Sequence, residues 1–214
     1  MLTTEQIDFV RDACNTLSLP RANALALGAA HRTLPIYQAY SEGPLGAKGH
    51  GVVHDALVQA WRVLCGRPGV SQGGLERKVD EAVGLAEKDL ELINGVDDFG
   101  LAESLSIESI STAVLALNAM TSGARESVFD ALAAAIEVDL VWAEWRADAS
   151  GGVVSSDEVS VHYGQQVRDI NLLSDTIGGD EDMVFRDLAM RAEREGVPYL
   201  GQMRQIVAIK VADR

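Results

Sequence analysis

Two of the four histidines are spaced for metal binding. His50 and His54 are four residues apart, so on a helix their imidazoles would share a face and could hold one metal ion. Glu158 and His162 repeat this spacing, and the two pairs on facing helices would complete a site. The protease version requires a glutamate after the first histidine, and Gly51 stands there instead. We favour partly exposed, unconnected histidines with no metal or cofactor; the alternative is a metal-dependent helical-bundle enzyme.

Other motifs that carry chemistry are incomplete in this sequence. Asp97 and Asp98 are adjacent carboxylates that could serve acid–base chemistry, but acids before Phe99-Gly100 are more typical of a turn. The glycine-rich stretch 43–51 lacks the Gly-Lys-Ser/Thr ending of a phosphate-binding loop. No nucleophile elbow or dinucleotide fingerprint is present. We therefore predict a protein that is not an enzyme and has no catalytic residues.

Acidic residues dominate the charge of the chain. The formal net charge is −14, which argues against nucleic acid and against an anionic membrane surface as ligands. A solvated helix surface is the ordinary interpretation of such charges, and a docking surface for a basic protein is the functional one. Two tryptophans stand among these acids and are suited to an interface. The candidate partner-binding residues are Asp80, Glu81, Glu87, Asp89, Glu91, Asp97, Asp98, Asp139, Trp142, Glu144, Trp145 and Asp148.

The elements that must position these residues are predicted to be helices. Apolar residues recur at spacings of three and four along most of the chain, which indicates amphipathic helices. We predict an all-α fold, a single-domain bundle of about eight helices covering residues 1–214, with the tail from 197 assigned to helix. The predicted spans are about 3–19, 20–34, 53–64, 71–93, 103–120, 124–149, 155–177 and 180–195, with 35–49 as a helical turn and a loop.

The two cysteines and the N-terminal residues are informative about the cellular compartment. Cys14 and Cys65 lie in apolar helical patterns, so we expect free, buried thiols rather than a disulfide framework. The first residues lack a basic start and an apolar signal core. No apolar run reaches the roughly 18–20 residues that span a bilayer. These features predict a cytoplasmic protein.

Several short motifs occur together in one known family. They are His31-Arg32-Thr33-Leu34-Pro35-Ile36-Tyr37, the glycine-containing loop after it, a helix centred on Trp61, the Asp97-Asp98 turn and the small-apolar helix Ser111–Leu117. In this order the pattern resembles the bacterial domain-of-unknown-function family four-one-six over about residues 20–170. The resemblance implies a small, all-helical, cytoplasmic protein, and it brings no activity or site residue to this chain.

Three functions are compatible with these observations. We favour a non-enzymatic module that binds a basic protein, most concretely an immunity protein that neutralises a nuclease-like toxin. The second is the metal-dependent enzyme described above. The third is a self-associating structural protein, a homodimer with Trp142 and Trp145 at its seam.

Overall fold

A computed structural model of the chain describes residues 3–43, 47–150, 161–176 and 180–212, with side chains described up to 147 in the sixth helix and up to 210 in the eighth. The described residues form eight helices and no strand, so the all-α prediction is confirmed. Among them, no helix is long and apolar enough to cross a membrane. The helices are α1 (Thr4–Thr16), α2 (Leu19–Ser41), α3 (His50–Leu64), α4 (Gln72–Asn94), α5 (Leu101–Ser122), α6 (Arg125–Ser150), α7 (Val161–Asp175) and α8 (Glu181–Ala212).

Local capping chemistry explains where several helices begin and end. Thr3 and Gln6 form a reciprocal capping box at the start of α1. The Ser71 hydroxyl accepts a hydrogen bond from the Gly74 amide and caps α4. At the end of α5, Gly123 has a φ of 67°, the left-handed conformation that glycine adopts without strain. The first part of the predicted helix 155–177 lies outside the described residues.

Two prolines that were predicted to interrupt helices lie inside them instead. Pro35 is within α2, which continues to Ser41, and Pro198 is within α8, which continues through the tail to Ala212. A proline inside a helix removes one backbone hydrogen bond and crowds the carbonyl four residues before it. Here the packing of both helices against the rest of the molecule outweighs that local penalty. The helical assignment of the tail is confirmed, although the tail extends α8 rather than following it.

The centre of the bundle is α2. From Ala22 to Ala30 every residue of α2 is buried, and the helix contacts α3, α5, α6, α7 and α8. Small alanine side chains let the neighbouring helices approach closely. Most buried core residues are accordingly aliphatic, and both Cys14 and Cys65 are free, buried thiols as predicted.

A network of charged side chains is buried where α2, α7 and α8 meet. Arg32 and Asp169 are each 1% exposed, and their Nη2 and Oδ2 atoms are 2.6 Å apart. Arg32 Nε also donates to Glu195 Oε2 at 2.6 Å. Arg191 pairs with the second Asp169 oxygen, and Arg168 with the second Glu195 oxygen. A buried arginine is tolerated only when its charge is matched in this way.

Removing one carboxylate of this network is expected to destabilise the fold strongly. Asp169→Asn leaves the buried Arg32 with only one of its two anionic partners, so we expect the free energy of unfolding to fall by about 3–5 kcal/mol. Asp187→Asn, at an exposed position of α8, is the matched control and should change it by less than about 0.5 kcal/mol. Urea unfolding followed by circular dichroism measures both. Equal stabilities of the two variants would contradict the assigned role of the network.

The contact between α2 and α8 is expected to depend on Gly196. A Cβ atom there would lie 2.8 Å from the Arg32 carbonyl oxygen, 3.1 Å from that of His31 and 3.1 Å from Pro35 Cγ. We expect Gly196→Ala to lower the free energy of unfolding by about 1–3 kcal/mol, because backbone atoms must move apart. Gly201→Ala is the control on the same helix, where nothing lies within 4 Å. That variant should be stabilising by up to about 1 kcal/mol, and a loss of stability in both would refute the close-approach explanation.

Candidate functional site

Three histidines cluster where α2 meets α3. The rings of His50 and His54 stack with centroids 6.2 Å apart, and His31 approaches His54 edge-on at 6.3 Å. The Trp61 indole Nε1 donates to His31 Nδ1 at 2.9 Å. Because Nδ1 accepts this hydrogen bond, His31 is a neutral histidine, and the bond holds α2 to α3.

Burial governs the protonation of this histidine cluster. Desolvation, together with the nearby His54, lowers the pKa of His31 to about 4. Desolvation and the same neighbour lower the pKa of His50 to about 4. His54 exposes 48% of its side chain and lies 3.7 Å from Asp55. The two inner histidines are thus uncharged at neutral pH.

The alternative prediction was a metal site formed by His50, His54, Glu158 and His162. The described part of the chain does not contain such a site. Within it, no group of three or more histidine, cysteine, aspartate or glutamate side chains is arranged to hold a metal. His50 and His54 do share a helix face, as their spacing predicts, but His31 is the third member of their cluster. Glu158 lies outside the described residues.

His162 belongs to a different buried cluster, with Asp139 of α6 and Tyr199 of α8. Its backbone N–H donates to Asp139 Oδ2 at 2.6 Å, and its Nδ1 lies 2.8 Å from Asp139 Oδ1. The Tyr199 ring stacks on the imidazole at 5.3 Å. Burial and the Asp139 carboxylate raise the pKa of Tyr199, against a smaller opposing effect of Arg32. The phenol therefore stays protonated at neutral pH.

A cavity of about 410 Å³ lies beside this cluster, where α6, α7 and α8 converge; we name it the Trp142 cavity. Trp142 Nε1 and Gln165 Oε1 are buried and have no hydrogen-bond partner among the described residues. Arg146 also lines it and is exposed. The lining residues are Asp139, Trp142, Arg146, Val161, Gln165, Glu195, Pro198, Tyr199 and Gln202.

Most of the acids predicted to bind a partner lie at the surface. These are Asp80, Glu81, Glu87 and Glu91 on α4, Asp97 and Asp98 after it, and Glu144 on α6; we name the six from α4 and its following turn the acidic surface. No ion pair within the described residues involves its members other than Asp98, which lies 4.0 Å from Lys210 Nζ. The side chain of Asp148 lies outside the described residues.

Two of the predicted surface acids are buried instead. Asp89 is 7% exposed; it accepts hydrogen bonds from the Tyr37 hydroxyl and from the backbone amides of Lys48 and Gly49. Asp139 is 5% exposed and is held by His162. Their expected place on a docking surface was therefore wrong, since each carboxylate satisfies buried donors.

A periodic signal for both buried acids is present in the sequence. Asp89 continues the apolar stripe through Ala82, Ala86 and Ile93, at spacings of four, three and four. Asp139 likewise continues a stripe through Leu132, Ala135 and Ala143. The position of Asp89 and Asp139 on the apolar face of each helix therefore predicts that they are buried, whereas their charge alone predicts exposure.

Trp142 and Trp145 face different surroundings, although their rings meet edge-on with centroids 6.2 Å apart. Trp142 is partly buried, whereas Trp145 is 46% exposed. Trp145 lines a second cavity of about 250 Å³, which we name the Trp145 pocket. Its residues are Asp98, Leu101, Ala102, Trp145, Ile206, Ile209 and Lys210. The pocket therefore brings two predicted partner-binding residues, Asp98 and Trp145, into one place.

The neutral state of His31 predicts a stability that depends on pH. Its pKa is about 4 in the folded protein and about 6.5 unfolded. The unfolded chain therefore binds more protons in that range, and folding stability falls as the pH drops from 6.5 towards 4, by up to about 1.4 kcal/mol per pH unit. His31→Gln, which keeps a donor and an acceptor but does not titrate, should flatten this slope. Urea unfolding between pH 4.5 and pH 7 measures it, and parallel profiles of variant and wild type would contradict the prediction.

Comparison with known proteins finds one similar solved structure among those considered. No protein-family model matches the chain, and no curated protein matches it. A solved structure of a DUF416 family protein from Shewanella baltica OS155 matches with a TM-score of 0.52 and 13% sequence identity, over 94% of this chain and 93% of that one. The resemblance predicted from short motifs is therefore confirmed at the level of the fold, because the chain is similar in fold to this DUF416 family protein.

Proposed function

We propose that this protein is a non-enzymatic cytoplasmic module that docks a basic protein on the acidic surface and the Trp145 pocket. Its most concrete form is an immunity protein that neutralises a nuclease-like toxin. What supports this function most directly is that the acidic surface leads, through Asp97 and Asp98, to an exposed tryptophan in a pocket.

The arginines and lysines of this chain pair mainly with acids outside the acidic surface, which favours an external partner for that surface. Arg21 pairs with Glu181, Arg204 with Glu42 and Lys210 with Glu103, and the buried network uses three more arginines. Within the described residues, these pairs neutralise acids outside α4. The exposed carboxylates of Asp80, Glu81, Glu87 and Glu91 on α4 remain available to attract a cationic surface over several ångströms and to accelerate its association.

The Trp145 pocket offers a partner protein an apolar binding site beside the acidic surface. Trp145 and Ile209 are 46% and 62% exposed, and Phe99, beside Asp98 in the sequence, is 48% exposed. An exposed aromatic in a shallow apolar pocket with a charged rim is typical of the residues that dominate binding energy in protein interfaces. We infer that the partner inserts an apolar side chain there while its cations meet the acidic surface.

A nuclease-like toxin fits these requirements by its chemistry. A surface that binds nucleic acid presents lysines and arginines spaced for phosphates. The same cations can pair with a row of carboxylates on a protein that covers them. Occupation of that surface would exclude the nucleic acid and so neutralise the toxin without any catalytic step.

Two variants with a charge-matched control test this function. The partner is isolated by cross-linking and co-purification with the full chain from its native host, and its nuclease activity is titrated with purified chain. Trp145→Ala removes the apolar anchor, so we expect at least tenfold weaker inhibition, a loss of about 1.4 kcal/mol or more. Neutralising four acids of α4 is expected to weaken inhibition to a similar extent at about 50 mM salt and less at higher salt. The four changes are Asp80→Asn, Glu81→Gln, Glu87→Gln and Glu91→Gln.

The control removes the same number of charges from exposed positions elsewhere. Its four changes are Asp12→Asn, Glu126→Gln, Asp130→Asn and Asp187→Asn. Inhibition by this variant should stay within about twofold of wild type. A partner that is acidic, an interaction that does not respond to salt, or equal losses in the control and α4 variants would refute the proposal.

Sedimentation distinguishes this function from self-association. A second copy of the chain could also occupy the Trp145 pocket, as in a homodimer with Trp142 and Trp145 at its seam. We expect a monomer at micromolar concentration. A dimer that Trp145→Ala converts to monomer would favour the structural, self-associating function instead.

A further inference from the structure

Three arginines line one groove between the end of α3 and α8, which we name the arginine groove. They are Arg62, Arg67 and Arg186, and the groove has a volume of about 360 Å³. None of the three forms an ion pair with another described residue. Glu193 is the one acid among the described residues that line the groove. The lining therefore carries a formal charge of +2, in a chain whose net charge is −14.

The way α3 ends places two of these arginines side by side. Gly66 has a φ of 57°, the left-handed conformation that glycine adopts without strain. Its amide donates to the Val63 carbonyl at 3.1 Å, and the Arg67 amide donates to the Arg62 carbonyl at 2.9 Å. This pair of hydrogen bonds is the Schellman motif, which turns the chain back across the last turn of a helix. The side chains of Arg62 and Arg67 therefore start from neighbouring points of the backbone.

The third arginine comes from α8 and meets the others near Cys65, which also lines the groove. Burial and the Asp182 carboxylate raise the pKa of the Cys65 thiol, and the positive charges of Arg186 and Arg67 oppose that rise. Both guanidinium groups therefore lie close to the same thiol. Asp182 does not line the groove, and the local charge remains positive when its carboxylate is included.

Beside the arginines, the groove has an apolar wall. Its members are Val58, Trp61, Ala189 and Met190. The Trp61 N–H already donates to His31 Nδ1, so the indole offers an occupant its ring rather than a donor. Met190 is 54% exposed. Unpaired cations next to uncovered apolar side chains favour an occupant that is anionic at one end and apolar at the other.

We propose that the arginine groove binds a small phosphate monoester that carries an aromatic or other apolar group. Its three terminal oxygens give each guanidinium an acceptor, and its charge of about −1.5 to −2 at neutral pH matches the lining. A carboxylate has two oxygens and a single charge. The apolar group lies against Trp61 and Met190, and the volume of the groove is in the range of small-molecule pockets. The groove shares no residue with the acidic surface or the Trp145 pocket.

Four small anions test this ligand class. They are phenyl phosphate, inorganic phosphate, phenyl sulfate and benzoate, and calorimetry of the full chain at about 50 mM salt measures their binding. We expect phenyl phosphate to saturate the protein below about 1 mM. Inorganic phosphate lacks the ring, and phenyl sulfate and benzoate carry one negative charge, so each should bind at least about fivefold more weakly. Raising the salt to about 200 mM should weaken phenyl phosphate as well.

Arginine variants test the three guanidinium contacts. Arg62→Gln, Arg67→Gln and Arg186→Gln should each weaken phenyl phosphate at least about fivefold, because each removes one set of charged donors. Arg186→Lys keeps the charge but loses the paired donors, so its affinity should be intermediate. Arg194→Gln, at an exposed position of α8 outside the groove, is the matched control and should stay within about twofold of wild type. The three arginines are exposed, so their variants are expected to fold, and thermal unfolding checks this.

An acid variant tests the sign of the charge. Glu193→Gln should bind phenyl phosphate about two- to fivefold more tightly, because it removes the negative charge of the lining. Glu126→Gln, at an exposed position of α6 outside the groove, is its control and should bind like wild type.

Several results would overturn this inference. One is that phenyl phosphate does not saturate the protein by about 10 mM. Others are equal binding by Arg186→Gln and Arg194→Gln, weaker binding by Glu193→Gln, or inorganic phosphate or benzoate binding as tightly as phenyl phosphate. The four α4 changes that test protein docking lie outside the groove, so that variant should bind phenyl phosphate normally. Arg186→Gln should in turn inhibit the toxin like wild type, so failure of either proposal is recognised separately.

Discussion

The burial of α2 is the constraint on which the rest of this structure depends. A helix enclosed by five others carries each polar group into the core at a cost in free energy, unless that group is matched by a partner. Arg32 is the costliest of these groups, and its guanidinium is matched by Asp169 of α7 and Glu195 of α8. Because those carboxylates come from the last two helices, the chain cannot complete its core until its C-terminal part is in place. Gly196 then allows α8 to reach the backbone of α2.

The same constraint explains which features could be predicted from the sequence and which could not. The helices and their caps follow from local periodicity and from residues such as Thr3 and Ser71, so the fold class was predictable. We expected helices to end near Pro35 and Pro198, and this was wrong. A proline lowers local helix stability by a few kcal/mol, and the packing of two long helices outweighs that loss. Sequence spacing contains no information about such distant packing.

The candidate sites were predictable only in part, for the same reason. The spacing of His50 and His54 predicts that they share a helix face. The contact of His31 with them depends on how α2 crosses α3, which the spacing does not show. Gln165 and Arg146 had no local motif that would link them to Trp142, since the cavity exists only where three helices converge. The burial of Asp89 and Asp139, in contrast, was predictable from the sequence. Both lie on apolar stripes, but we assigned them to the surface because they are charged.

The His162–Asp139 pair resembles the histidine–aspartate half of a catalytic triad, and its surroundings argue for a structural role. A catalytic histidine needs its second nitrogen next to a nucleophile or substrate. His162 is 1% exposed, does not line the Trp142 cavity and is covered by the Tyr199 ring. Moreover, Asp139 accepts from the backbone N–H of His162 as well as from its ring. A carboxylate that accepts hydrogen bonds from both the backbone and the ring of one residue links the two helices that carry them. Asp139 therefore joins α6 to α7 and fixes the wall against which Trp142, Arg146 and Gln165 define their cavity.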